Sequence, residues 1–158
     1  MAFLIRTADR SDVETLVAFN AAMAMETESK RLDSRTLSLG VLGLIENSNR
    51  GKYLLACTNG GRIVGQMMHT FEWSDWRNGD VWWIQSVYVD PDYRRRGVFQ
   101  SLYKAVRTLA HEAGGVVGLR LYVEHHNENA QATYRAMGMK DAGYSVMEEM
   151  FEGSTTGT

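Results

Sequence analysis

The residues best suited to chemistry gather in WWIQSVYVDPDYRRRGVFQ, residues 82–100. Arg94, Arg95 and Arg96 run into Gly97, and Val98, Leu102, Val106 and Leu109 then follow at helical spacing. The first turn of a helix carries backbone N–H groups without intrahelical partners and a partial positive charge. Arginines set against such a turn make a receptor for an anion, most simply phosphate. Three arginines alone would read as a solvated turn. The coincidence of strand end, arginines, glycine and helix start is what favours an anion site. Other chemistries fail on spacing. His111-Glu112 has no second histidine four residues after the first, and His125 and His126 are adjacent, so no metal site is expected. The Walker-type and dinucleotide-type glycine loops are both missing, and Gly60-Gly61 precede a strand rather than a helix.

The elements that must position these residues follow from local pattern. Residues 82–89 are aromatic and β-branched around one polar pair, Gln85-Ser86, and read as a buried strand ended by Asp90-Pro91-Asp92. The helix after Gly97 stops at Gly114-Gly115. Upstream, residues 3–7 form a strand, Asp9 or Ser11 caps a helix carrying Val13, Leu16, Val17, Asn20 and Met23, and Ser34 or Thr36 starts a second helix. Strands at 53–58 and 62–73 flank the turn Asn59-Gly60-Gly61, and Asn78-Gly79 makes a second turn into the central strand. Downstream come a strand at 118–124, a helix at about 127–137 and a last strand, an edge, at 144–151. A helical connection between the 82–89 and 118–124 strands makes them a parallel pair.

The chain has 158 residues, 44% of them hydrophobic and 23% charged, which is one globular domain with one core. We expect that domain to span residues 1–152 and residues 153–158 to form a disordered tail. A net charge of −2 argues against a nucleic-acid surface over the whole chain. No apolar run is long enough to cross a membrane, and the start lacks the order of a signal peptide. The lone cysteine, Cys57, permits no internal disulfide, so the expected location is the cytoplasm.

Two blocks, in the right order, resemble the GNAT superfamily of N-acetyltransferases. The first is Arg94-Arg95-Arg96-Gly97-Val98-Phe99, similar to the family's Q/R-x-x-G-x-G/A loop, with Phe99 where a small residue is usual. The second places Asn127, Ala130, Tyr134 and Gly138 at the offsets of N-x-x-A-x-x-x-Y-x-x-x-G-F, with Met139 for the final Phe. The resemblance implies a mixed α/β (α+β) fold. Its mostly antiparallel central sheet of six to seven strands is flanked by about four helices, and a splayed parallel strand pair forms the cofactor cleft. It implies acetyl-CoA as co-substrate. Val87, Tyr88 and Val89 would pair with the pantetheine arm, Arg94, Arg95, Arg96, Gly97, Val98, Phe99 and Gln100 would receive the pyrophosphate, and Asn127 and Tyr134 would contact the cofactor.

The implied reaction is acetyl transfer to a primary amine of a small molecule or peptide, with Tyr134 as general acid toward the sulfur. Many relatives carry Glu where this chain has Gln85, which cannot accept a proton at neutral pH. Gln85 is therefore expected to orient the acceptor or a water, or to be simply a core amide, with Glu72 the first candidate base, Asp75 and Glu124 further ones, and Glu26 and Glu28 candidates acting through water. Glu26, Glu28, Trp73, Asp75 and Trp83 are the candidate acceptor-site residues, a partly apolar and negative set suited to a cationic amine. The competing expectation is tryptophans used only for packing. A homodimer is common in the superfamily, and the tryptophan-rich hairpin is a candidate surface. Gln85 also keeps open a second function, a non-catalytic acyl-CoA-binding or regulatory module on the same fold.

Overall fold

The computed structural model describes residues 2–152, so the expected tail at 153–158 lies outside the described residues. The chain enters through strand β1 (Leu4–Thr7) and a 3-10 turn (Arg10–Asp12) into helix α1 (Val13–Glu28). Asp9 starts this helical region, its carboxylate accepting from the Ser11 N–H at 2.8 Å while Asp12 accepts from the Asp9 N–H at 2.8 Å. Arg6 grips Asp12 through two 2.8 Å bonds and holds its carboxyl below the usual aspartate range. Helix α2 (Ser34–Ile45) is capped by Asp33, which accepts from the Thr36 N–H at 2.8 Å.

Strands β2 (Gly51–Cys57), β3 (Ile63–Ser74) and β4 (Gly79–Val89) form an antiparallel meander. A 3-10 turn (Pro91–Tyr93) leads to helix α3 (Val98–Ala113), then to strand β5 (Val116–Leu121) and helix α4 (Glu128–Ala136). The sheet order is β1-β2-β3-β4-β5, antiparallel except for the parallel β4–β5 pair. Among the described residues no helix is long and apolar enough to cross a membrane.

Apolar side chains alternate to the two faces of the sheet, and each face has its own core. On one face Leu54, Met67, Trp82 and Ile84 pack with Val98, Leu102 and Val106 of α3. On the other, Leu55 and Tyr53 pack with Leu16 of α1 and with Val41 and Leu44 of α2. Gly65 lets α3 start close against β3: a Cβ there would stand 2.7 Å from Cγ1 of Val98.

Two expectations need correction. The sheet has five strands rather than six to seven, because residues 144–151 form no strand among the described residues. That segment has a strand-like pattern but makes no strand pairing, and Tyr144, Ser145, Val146 and Glu148 line one groove together with residues 116–125. The other correction is that β5 runs two residues earlier at its start and ends at Leu121, before the expected Glu124.

Candidate active site

The cleft originates in a bulge in β4. Gln66 stands opposite Tyr88 and Met68 opposite Gln85, so β4 spends one more residue than β3 over this interval. Ser86 absorbs the kink with φ 50°, a left-handed conformation costly for a residue with a Cβ. Gln66 holds it there, its Nε2 donating to the Ser86 carbonyl at 2.9 Å and to Asn20 Oδ1 of α1 at 3.1 Å. Asn20 in turn donates to the Tyr53 hydroxyl at 3.3 Å. This buried amide relay joins β3, β4 and α1. Pairing between β4 and β5 ends at Ile84–Leu121, so Gln85 to Val89 have no β5 partner and the two strands part.

The arginine loop sits at the mouth of this cleft. Arg62 pairs with Asp90 at 2.9 Å, and Asp90 accepts from the Asp92 N–H at 3.0 Å, which fixes the turn after β4. Arg95 has φ 60° and Gly97 φ 87°, the sharp reversal that aims the chain into α3. The helical ladder begins with the Ser101 N–H donating to Gly97 O at 3.0 Å. The amides of Val98, Phe99 and Gln100 therefore have no partner within the helix. Among the described residues, no carboxylate is bonded to them or to the amides of Arg95, Arg96 and Gly97. A cavity of about 410 Å³ opens over these groups, lined also by Met23, Glu26, Val87, Val89 and Thr133.

The three arginines are not equivalent. Arg94 is engaged with the protein: it pairs with Glu26 at 2.7 Å, donates to the Val89 carbonyl at 3.0 Å and covers the Tyr88 ring at 5.5 Å. Tyr88 also donates to Glu26 at 3.3 Å, and burial followed by the Glu26 charge raises its phenol. Arg96 lies over the Tyr93 ring at 5.3 Å. Arg95 is exposed in the loop.

Tyr134 of α4 is half-buried, and burial raises its phenol above the ordinary tyrosine value, so it is protonated at neutral pH. Its ring centroid is 5.6 Å from that of Phe99, which also touches Tyr103 at 6.0 Å. Asn127 caps α4, its Oδ1 accepting from the Ala130 N–H at 3.1 Å. Gln85 donates to Thr70 Oγ1 at 2.6 Å, and on the same face Glu72 pairs with Arg120 while Trp83 meets Tyr122 at 4.5 Å. The fold thus joins Gln85, Glu72 and Trp83 on one surface, and Val87 to Gln100 on another beside Tyr134. Glu28 is exposed at the end of α1, and Glu124 accepts from the His126 N–H at 2.9 Å. Trp73 pairs with Asp80 near the hairpin tip, and Asp75 lies in the turn beyond. At about 3.3 Å per residue this is roughly 17 Å from Gln85 along β4, so the structure does not bring Trp73 and Asp75 together with it. Trp82 is core, stacked at 4.1 Å on the buried His69 ring, and Trp76 is 87% exposed.

Sequence reasoning gave no role to Gln66, Ser86, Tyr53 or Arg120. Gln66 is a lone amide in the apolar run VGQMM, and Asn20 a polar residue on an apolar helix face; those were the available signals.

The comparisons agree with this geometry. Residues 19–139 match the model of the acetyltransferase (GNAT) family. A possible acetyltransferase from Clostridium difficile 630 has a crystal structure that superposes with TM-score 0.87 at 42% identity, covering 96% of this chain and 99% of that one. The thialysine N-epsilon-acetyltransferase of Bos taurus is 32% identical over 79 residues, and that of Sus scrofa 29% identical over 82. These matches cover 50% and 52% of this chain but only 45% and 47% of those relatives. The cleft, its loop and the match over residues 19–139 make one conclusion: this chain belongs to the acetyltransferase (GNAT) family, whose members draw on acetyl-CoA.

Proposed function

We propose that the chain is an N-acetyltransferase that moves the acetyl group of acetyl-CoA to the primary amine of a small molecule or peptide. The observation that carries this reading is the run of unpartnered amides at residues 95–100 where the β4–β5 pairing has ended. Burying unpaired backbone groups is costly, and an amide-bearing arm with a diphosphate at one end supplies what they lack. The α3 N-terminus with Arg95 and Arg96 would hold the diphosphate. The unpaired backbone of Val87 to Val89 would hold the arm, with Asn127 at its flank.

When bound, acetyl-CoA supplies the thioester. Tyr134 keeps its proton through burial and offers it to the departing sulfur. Gln85, fixed by Thr70, orients the acceptor nitrogen rather than deprotonating it. Glu72 is the proposed base, with Arg120 holding its carboxylate in place, and Trp83, Glu26 and Glu28 are proposed to border the acceptor. The names of the bovine and porcine relatives suggest an amine at the end of a thialysine-like side chain. We propose the cytoplasm as the compartment, a reading supported by the free, buried thiol of Cys57.

A coupled thiol-release assay over an amine panel that includes thialysine, lysine and a lysine peptide tests the reading. Saturable, amine-dependent thiol release supports it, and none on any amine sinks it. The second reading is a non-catalytic acyl-CoA-binding module, favoured by Gln85 tied to Thr70 and Glu72 paired with Arg120. It is the outcome if acetyl-CoA binds and no amine is acetylated.

A further inference from the structure

Arg120 of β5 has hydrogen-bonding capacity that the chain itself does not use. Its side chain is only 29% exposed, and its Nη1 donates to Glu72. Among the described residues, its Nε and Nη2 have no hydrogen-bond partner. A guanidinium presents its donors as a planar fork that matches a carboxylate, and donors of a largely buried charge are costly to leave unpaired.

The register puts this fork beside the reacting end of the cleft. Arg120 stands opposite Trp83, which precedes Gln85 by two positions on the same face of the sheet. That places Arg120 roughly 7 Å from Gln85 along the strand direction, at about 3.3 Å per residue. The ring of Trp83 meets that of Tyr122 at 4.5 Å, and Tyr122 is 60% exposed, so an aromatic wall runs beside the guanidinium. Arg120 and Tyr122 also line one groove of about 1570 Å³ with Tyr134, the proposed acid.

Charge indicates what fits. Five basic side chains against three carboxylates line that groove. Glu26 and Glu72, which would draw in a polycation, are each already paired with an arginine. An acceptor carrying a carboxylate matches this field, whereas a polyamine meets neutralised carboxylates and an excess of positive charge.

We propose that Arg120 binds the carboxylate of the acceptor, so that the preferred substrate is a small amino acid whose reacting amine stands at the far end of an alkyl chain of lysine length. The chain lies along Trp83 and Tyr122 and delivers the amine to Gln85. Glu72 stays on Nη1, so the proposed base keeps its partner while Nε and Nη2 take the carboxylate. An amine adjacent to its carboxylate, as in an α-amino group, does not span from Arg120 to Gln85. This assignment rests on the transferase reading, in which Gln85 orients the acceptor nitrogen.

The test is steady-state acetylation of 6-aminohexanoate, its neutral amide 6-aminohexanamide, 1,5-diaminopentane and lysine by the full chain. The first two share chain and amine and differ only in the carboxylate. We expect kcat/KM for the acid to exceed that for the amide and the diamine at least tenfold, mainly through KM, and lysine to be acetylated on its side-chain amine. Arg120→Gln should bring the acid-to-amide ratio close to one, and Arg120→Lys should keep part of it. The ratio cancels any loss that both acceptors share through Glu72. Equal rates for acid and amide, or a preference for the diamine, overturn the proposal and leave the transferase reading standing. A ratio that Arg120→Gln leaves unchanged also overturns it, because Arg120 then only positions Glu72. If no acceptor is acetylated although acetyl-CoA raises the melting temperature, the transferase reading falls and this assignment falls with it.

Discussion

The ring of Phe99, in the first turn of α3, sits 5.6 Å from the ring of Tyr134 on α4, tilted by 56°. Phe99 occupies the motif position where a small residue is usual, and here the bulk is used: it spans from Tyr103 to Tyr134 and bridges the loop and the proposed acid. Aromatic pairs of this kind contribute about 0.5–1.5 kcal/mol beyond area burial. Phe99→Ala should therefore lower kcat by roughly 2- to 10-fold. Water admitted beside the phenol should also move the alkaline limb of the kcat profile down toward the ordinary tyrosine value of about 10. Tyr134→Phe should reduce kcat further and abolish that limb. Steady-state kinetics across pH check both.

The arginines should separate in function. Arg94 is held by Glu26 and the Val89 carbonyl, whereas Arg95 is exposed and lines the same cavity as Gly97, Val98 and Phe99. Arg94→Ala is expected to lower the melting temperature of the free protein. Arg95→Ala should leave that temperature unchanged and weaken acetyl-CoA binding by roughly fivefold, more at low salt than at high. Calorimetric titration beside thermal melts separates the two.

His69 is 1% exposed, and neither ring nitrogen has a hydrogen-bond partner among the described residues. Burial first, and Lys52 second, depress its pKa to about 4. Its neutral ring stacks on Trp82 and meets the Phe71 ring edge-on. The folded pKa lies below the unfolded value of about 6.5, so the unfolded chain binds the proton first as pH falls. Stability is full above about pH 6.5 and declines as pH drops toward about 4, by on the order of 3 kcal/mol from this group. His69→Phe should remove that part of the slope, as read from urea denaturation at several pH values.

Gln66 tests the origin of the cleft. Gln66→Leu leaves the Ser86 carbonyl and Asn20 without their buried donor, which costs about 1–3 kcal/mol. If the relay holds the bulge, the KM for acetyl-CoA should rise as well. An unchanged KM with the stability loss would mean the bulge persists without Gln66.

What could be read from the sequence was local. Strand 82–89, the Arg94–Gly97 loop and α3 are contiguous, and each is specified by neighbours, so pattern and motif located them. The α4 signature from Asn127 to Tyr134 is equally compact, eight residues from the cap through about two turns of helix. Contacts between distant residues were not readable. Gln66 meets Asn20 from 46 positions away and Glu26 meets Arg94 from 68, and only the folded sheet brings either pair together. The 144–151 stretch has the composition of a strand, but pairing needs an edge within reach, and composition carries no information about reach. The tryptophans divided for the same reason: Trp82 points into the α3-side core, while Trp73 and Trp76 are carried outward by the hairpin.

The amides at the start of α3 are proposed to receive a diphosphate. The most direct measurement compares the melting temperature of the full chain with saturating acetyl-CoA and with S-acetylpantetheine, which has the thioester and arm but no diphosphate. A rise of several degrees with acetyl-CoA and little or none with S-acetylpantetheine is the predicted result. Equal shifts, or no shift with either, would contradict it.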